Sequence, residues 1–312
     1  MFPQLAPNVK DRGSYDRALH CLKANKPEKR LDIHLSFESF RALEKQARAP
    51  YGNAKYPRVE YSATDSRVTI HTVPTALHSS AAANLQEHIN YCIRDVVVQH
   101  GTQSLLRLLM GVGDTTYEFT DDQGRGATKS PDSGLKYFRV GGLEELVFVI
   151  EVGVSEGYRA LKADIMLWLN QFHCRTAILL WFKERQRFRY PRSSDQYSVR
   201  DRSAFEAAMT HAQLAHPFGP YCYRDHAWFG VMDTAIIEVF KRNPTMKDGL
   251  MMTQTDRLYL GLTLGDFFPR DEEVVVDIRT APIHPDTESL RLVLLCGAQA
   301  TAVARFLRFI RE

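Results

Sequence analysis

Two carboxylates and a lysine are the residues whose types and spacing can do chemistry. Glu151 interrupts residues 146–152, LVFVIEV, a run otherwise apolar and rich in β-branched side chains, the pattern of a strand buried on both faces of a sheet. An ionised carboxylate there costs several kcal/mol unless it is paired or binds a metal. Alternation puts Glu151 on the face of Val147 and Val149, at the strand end broken by Gly153, and strand ends are where α/β sites form. Asp132 stands 19 residues earlier, behind Pro131, which fixes the entry of the chain into the next segment. The intervening loop is long enough to fold back so that both carboxylates meet on neighbouring strands. Two hard oxygen ligands suit Mg²⁺ or Mn²⁺, which keep several waters and use phosphate oxygens for the rest of their shell. That is the outline of a phosphodiester hydrolysis site. The structural alternatives are an Asp132 that caps a turn after proline and a Glu151 held in an internal ion pair.

These residues need elements to position them. Residues 36–48 read as a helix behind a Ser36 cap, with Phe40, Leu43 and Ala47 on one stripe. Residues 59–63 and 67–73 read as strands around an Asp65-Ser66 turn. Residues 78–99 form a helix with Leu85, Ile89, Ile93 and Val96 on its apolar face. Extended runs follow at 105–110 and 115–119, then a polar loop that ends at Ser130-Pro131-Asp132. After the strand carrying Glu151, residues 158–171 are amphipathic through Leu161, Ile165 and Trp168, and 176–182 (TAILLWF) is a second buried strand. Strand, helix, strand implies a right-handed parallel crossover. Beyond it, a helix capped by Ser203 and Glu206 runs to Ala215, a strand pair covers 234–241 and 251–263, and a long helix covers 287–311.

The 312 residues are 44% hydrophobic and 25% charged with a net charge of +3, which excludes disordered, collagen-like and disulfide-scaffold classes. Five scattered cysteines without a CxxC point to reduced thiols and an intracellular setting, cytoplasm or nucleus. The first residues carry no apolar h-region. The most apolar stretch, 290–309, contains Arg291 and Arg305, so a packed helix is expected there rather than a membrane span. Charge is distributed unevenly. Residues 183–202 hold seven basic and three acidic side chains, and Lys183, Arg185, Arg187, Arg189 and Arg192, interleaved with Phe188, Tyr190 and Tyr197, could follow phosphates and stack bases. The competing reading is a solvated edge strand. His211, His216, Cys222 and His226 have zinc-like spacings but lack the second cysteine of a finger.

Ser130-Pro131-Asp132, followed by residues 146–153 (LVFVIEVG) and Leu161-Lys162-Ala163-Asp164, resembles the PD-(D/E)XK nuclease superfamily. The likeness is greatest to its restriction-endonuclease-like group, fungal and bacterial, in which the catalytic lysine has migrated. It covers the middle third of the chain. The resemblance implies an α/β fold with a restriction-endonuclease-like core, αβββαβ, a mixed sheet flanked by helices. That core would span residues 58–185, with an N-terminal helical extension at 1–57 and a C-terminal β/α elaboration at 186–312. It implies Mg²⁺ (or Mn²⁺) held by Asp132, Glu151 and the backbone carbonyl of Val152. Where the superfamily carries a lysine two residues beyond the acidic strand residue, this chain has Gly153, and Lys162 on the next helix matches the migrated position. Glu87 matches an auxiliary carboxylate. The implied partner is nucleic acid, DNA in preference to RNA, with room for a homodimer and no membrane. The alternative from another class is a degenerate member that binds nucleic acid or protein without cutting.

Overall fold

The computed structural model describes residues 9–24, 30–51, 57–62, 65–72, 74–112, 115–120, 126–139, 142–154, 157–186, 188–191, 196–242, 245–246, 250–251, 260–269 and 278–311. Two compact units share the chain, one of Met1–Pro74 with Asp114–Pro131 and one of Thr75–Gly113 with Asp132–Glu312. The first unit begins with α1 (Arg12–Ala24), β1 (Arg30–His34), α2 (Phe37–Tyr51), β2 (Arg58–Ser62) and β3 (Arg67–His71). The chain then supplies α3 (Ala76–Gln99) and β4 (Leu109–Gly111) to the second unit, and returns to the first for β5 (Tyr117–Thr120) and β6 (Gly126–Lys129). The rest belongs to the second unit: β7 (Ser133–Phe138), β8 (Glu144–Val154), α4 (Tyr158–Asn170), β9 (Thr176–Arg185), α5 (Arg202–Ala215), β10 (Tyr221–Tyr223), β11 (His226–Phe229), β12 (Val231–Lys241) and α6 (Thr287–Phe309).

The first unit is an antiparallel sheet in the order β1-β3-β2-β6-β5. Alternation turns Ile33, Val68, Ile70 and Tyr61 to one face, where they form a core with Tyr15, Ala18 and Leu22 of α1 and Phe40 and Leu43 of α2. The opposite face holds a buried charge cluster. Glu60 lies 3.1 Å from Lys129, 3.4 Å from His71 and 3.6 Å from Arg58. The strands expected at 59–63 and 67–73 therefore pair within this sheet, and the units divide the chain at other points than the expected 1–57, 58–185 and 186–312.

In the second unit the sheet runs β12-β9-β8-β7-β4, with the short strands Thr245–Met246 and Leu250–Met251 on the far edge of β12. β8 and β9 are parallel, and the other pairs are antiparallel. Helix α4 packs on β8 and β9 through Leu161, Ile165 and Trp168. Helix α3 packs on β7 and β8, and its Leu85, Ile89 and Ile93 share a core with Phe148, Ile150 and Val152. Of the run expected to be extended at 105–110, only Leu109 and Met110 join a strand, β4, while residues 103–108 form a 3-10 helix in which Leu105 alone is fully buried. The capping box lies at Ser198 and Asp201, one turn before the expected Ser203 and Glu206. Leu262–Thr263 pairs with Pro282–Ile283 rather than with β12, and residues 252–259 of that expected strand lie outside the described ones. Among the described residues α6 is long and apolar enough to cross a membrane. Its Leu290, Leu294, Ala298, Ala302 and Phe306 are buried, and it packs on α3 and α5. At Gly297 any Cβ would stand 2.8 Å from the Leu77 Cα, which is why α3 and α6 can approach so closely.

Candidate functional site

The two carboxylates lie near one end of β8 and bond to different helices, Asp132 to His78 of α3 and Glu151 to Trp168 of α4. The β7–β8 ladder begins where Ser133 faces Ile150, and Asp132 is the residue just before it. The Asp132 carboxylate is nearly inaccessible, and its Oδ2 accepts the Val152 N–H at 2.8 Å. That N–H belongs to the peptide whose carbonyl is that of Glu151, so the Asp132 carboxylate is seated on the backbone at the end of β8. Glu151 is itself buried, and its Oε1 accepts a hydrogen bond from Trp168 Nε1 of α4. The burial penalty for the carboxylate inside an apolar strand is thus met in part by an indole donor.

From α3, His78 places Nε2 3.1 Å from Asp132 Oδ2. Its own backbone N–H donates to Thr75 Oγ1 at 3.0 Å, which caps the helix. Two turns on, Gln86 accepts from Ser133 Oγ at 3.3 Å and donates to Asn90 at 2.9 Å. Spacing alone did not single out His78 or Gln86. The available signal was that both interrupt the stripe of Ala82, Leu85 and Ile89, where a polar side chain must find a buried partner. Glu87, the expected auxiliary acid, is one step of about 100° round the helix from Gln86. It lines a cavity of about 380 Å³ with Asn90, Tyr91, Arg94, Leu106 and Leu135. Nine residues from His78, it is about 13 Å farther along the axis.

Lys162 projects beside the buried stripe of α4, with its ammonium 5.6 Å from the Phe240 ring and 5.9 Å from that of Tyr158. Phe240 belongs to β12, two strands from β8. Next to it the Tyr158 hydroxyl donates to Glu238 Oε2 at 2.7 Å, and burial together with that bond pushes the phenol up to about 12. Glu238 is in register with Leu179, and Leu179 with Glu151. The two acids therefore stand two strand spacings apart, about 9.5 Å.

On β9, Lys183 and Arg185 are exposed and face Asp233 at 3.6 and 4.0 Å. Arg189 is also exposed, while Arg187 and Arg192 lie outside the described residues. The neighbouring aromatics are packed inward rather than displayed. Phe188 and Tyr197 stand 6.0 and 5.5 Å from Trp228, and Tyr190 stacks on Phe309 at 5.8 Å. His226 belongs to the same cluster, where burial lowers its pKa. Among the described residues, no three His, Cys, Asp or Glu side chains are grouped to hold a metal ion, which leaves the zinc spacings without a structural counterpart.

No protein-family model matches the chain, and no curated protein matches it. A solved structure from Anabaena variabilis ATCC 29413, described as a candidate nuclease belonging to DUF820, is similar at 12% identity, covering 76% of this chain and 92% of that one with a TM-score of 0.37. At that level no residue of one chain is assigned to a residue of the other.

Proposed function

We propose that the protein is a metal-dependent nuclease that hydrolyses phosphodiester bonds of nucleic acid, DNA in preference to RNA. The observation that carries the reading is the Asp132 carboxylate seated on the peptide between Glu151 and Val152. The site lies where β8 ends beside its parallel partner, and strand ends of this kind are where α/β sheets build sites. The order α3, β4, β7, β8, α4, β9, three antiparallel strands followed by a parallel crossover, supports the superfamily resemblance.

The residues fit a hard cation in kind: two buried carboxylates and the Val152 carbonyl are oxygen donors, and waters and a substrate phosphate would complete the shell. A bound Mg²⁺ or Mn²⁺ would supply Lewis-acid chemistry, polarising the phosphoryl oxygens and acidifying water. The chain does the rest. The Val152 N–H orients Asp132, and the Trp168 N–H holds Glu151. Lys162, with a flexible stem of four carbons, would swing from the Phe240 ring to the developing charge. Lys183, Arg185 and Arg189 would meet phosphates outside the site.

The test is incubation of the protein with duplex DNA, single-stranded DNA and RNA under Mg²⁺ and Mn²⁺. Asp132→Asn and Glu151→Gln should each abolish cutting. Lys162→Ala should abolish it while affinity stays within a few-fold, as for an interaction made mainly in the transition state. Cutting that survives Asp132→Asn would refute the site. One observation favours the second reading, a protein that binds without cutting: Gly153 stands in place of the strand lysine, and Lys162 lies over two rings on the β12 side of β9. Binding with no cleavage under either cation would establish that reading instead.

A further inference from the structure

We propose that the cavity between α3, β4 and β7 holds one unpaired nucleotide of the substrate, so that the protein acts on single-stranded rather than fully paired DNA. The inference rests on the nuclease reading and narrows its substrate. At about 380 Å³ the cavity has the usual size of a small-ligand pocket. A glycine leaves it open. Gly111 of the edge strand β4 stands directly opposite Leu135 of β7, and directly opposed residues of an antiparallel pair point to the same face. Leu135 is buried in the core that includes Leu85 and Ile89 of α3. A side chain at position 111 would therefore enter the cavity, and a Cβ there meets no atom within 4 Å.

The polar lining comes from α3, where Glu87, Asn90, Tyr91 and Arg94 follow one another at helical spacing. Among the described residues Glu87, Tyr91 and Arg94 have no hydrogen-bond or ion-pair partner. Tyr91 is 69% exposed, a free ring of the kind on which unpaired bases stack. Gln86 donates to Asn90 Oδ1 at 2.9 Å, which leaves the Asn90 amide NH₂ as a donor, and the Glu87 carboxylate accepts from base N–H groups. Arg94, one turn beyond Asn90, offers a cation to a phosphate. A stacking ring beside a donor and an acceptor is how the pairing edge of an unpaired base is read, and in a duplex that edge is already occupied. The cavity is also within reach of the carboxylate site. Leu135 lies three residues beyond Asp132, about 10 Å along an extended chain, which is about three phosphate steps of one stacked strand. Asp132 itself meets α3 through His78, so a strand with a phosphate at Asp132 can place a nearby base against Tyr91.

The experiment is binding of a labelled oligodeoxynucleotide of mixed sequence to the full chain in EDTA, single-stranded or annealed to its complement, followed by cleavage under Mg²⁺ or Mn²⁺. The wild type should hold the single strand at least about fivefold more tightly than the duplex, the effect of one stacked base, and Tyr91→Ala and Gly111→Leu should each remove that margin. Duplex affinity and melting temperature should stay at their wild-type values. Single strands carrying 5-iodouracil should crosslink to Tyr91 of the wild type under ultraviolet light, and this readout needs no variant to fold. A margin that survives both substitutions, no margin at all, or crosslinks that never form at Tyr91 would overturn the proposal, and wild-type cleavage alongside any of these would leave the nuclease reading standing without it. A wild type that binds no nucleic acid overturns both. A single-strand margin that both substitutions abolish, without cleavage under either cation, upholds the pocket and sinks only the hydrolysis.

Discussion

Replacing Arg305 with methionine should destabilise the second unit by about 3–5 kcal/mol, the usual cost of breaking a buried ion pair from one side. Arg305 of α6 and Glu184 of β9 form that pair, each side chain 2% exposed, through two bonds of 2.8 and 2.9 Å. The guanidinium also donates to the Trp228 carbonyl at 3.0 Å and lies 4.4 Å from the Phe188 ring centroid, while Glu184 Oε1 accepts the Gly230 N–H at 2.7 Å. Methionine keeps much of the volume and strips Glu184 of its charged partner, so an uncompensated carboxylate remains in the interior. For a unit of this size each kcal/mol moves the melting temperature by about 2–4 °C, so the midpoint should fall by about 6–20 °C. Replacing both residues with methionine removes both charges and should restore most of the loss, since a buried pair contributes little net stability over apolar groups of similar volume. Urea unfolding of the two single variants and the double variant, followed by circular dichroism, closes a double-mutant cycle. A single-variant loss below about 1 kcal/mol, the size expected of an exposed pair, would refute the argument. So would a double variant as weak as the worse single one. The outcome bears on function because Glu184 anchors the strand that displays Lys183 and Arg185.

In the first unit, burial pushes the Glu60 carboxyl up, but Lys129, His71 and Arg58 outweigh it and hold the group well below the ordinary carboxylate range. Its stabilisation should be complete above its ordinary value and lost as pH falls through the lower folded one. Glu60→Gln should accordingly cost about 3–5 kcal/mol at neutral pH and flatten the acid limb of the stability curve, and an unaltered limb in acid unfolding would remove the charge argument. Tyr158, raised by burial and by Glu238 to about 12, adds stability that is complete below its unfolded value and lost as pH rises through the folded one. Glu238→Gln should bring its ultraviolet titration down, and an unchanged titration would discharge Glu238 as a cause. Replacing Lys183, Arg185 and Arg189 together with alanine should weaken nucleic-acid binding and reduce the salt slope by about 0.7–0.9 for each phosphate no longer neutralised. An unchanged slope would leave them as a solvated edge paired with Asp233.

The second unit's centre was legible because its signals are local. The unbroken apolar run of β8, the stripe of α4 and the run of β9 fix a strand, a helix and a parallel strand without reference to anything distant. The first unit was hidden by its polar sheet face. β1 alternates Arg30, Asp32 and His34 with Leu31 and Ile33, so five residues of strand resemble a mixed charge run. The pairing of β2 with β6 spans 67 residues from Tyr61 to Thr128, which no window of sequence reports. At the site, residue chemistry drew attention to Asp132 and Glu151, but their immediate partners come from distant elements. His78 lies on α3 and Trp168 on α4, and spacing does not reveal tertiary partners. The helical wheel put Lys162 beside the buried stripe of α4. Which neighbour lay on that side depended on β12, whose place next to β9 is a choice of topology.

Asp132 also shows why its structural and chemical readings are so hard to separate. Residue 131 is a proline without an N–H, the chain passes there from the first unit to the second, and the β7–β8 ladder begins only at Ser133. The next N–H along β8, that of Val152, has run out of ladder partners on β7, and a buried amide must find an acceptor. The Asp132 side chain accepts it at 2.8 Å, much as an Asx side chain replaces a backbone carbonyl in a turn. The same bond that completes the sheet therefore holds a carboxylate at the strand end, on the peptide that follows Glu151. Asparagine preserves the acceptor and removes the charge, whereas alanine removes both and leaves a buried amide unmet at about 1–3 kcal/mol. The asparagine variant is therefore the one that separates chemistry from architecture. Lost cleavage in a protein that melts like the wild type would locate the role of Asp132 in its charge rather than in the bond it accepts.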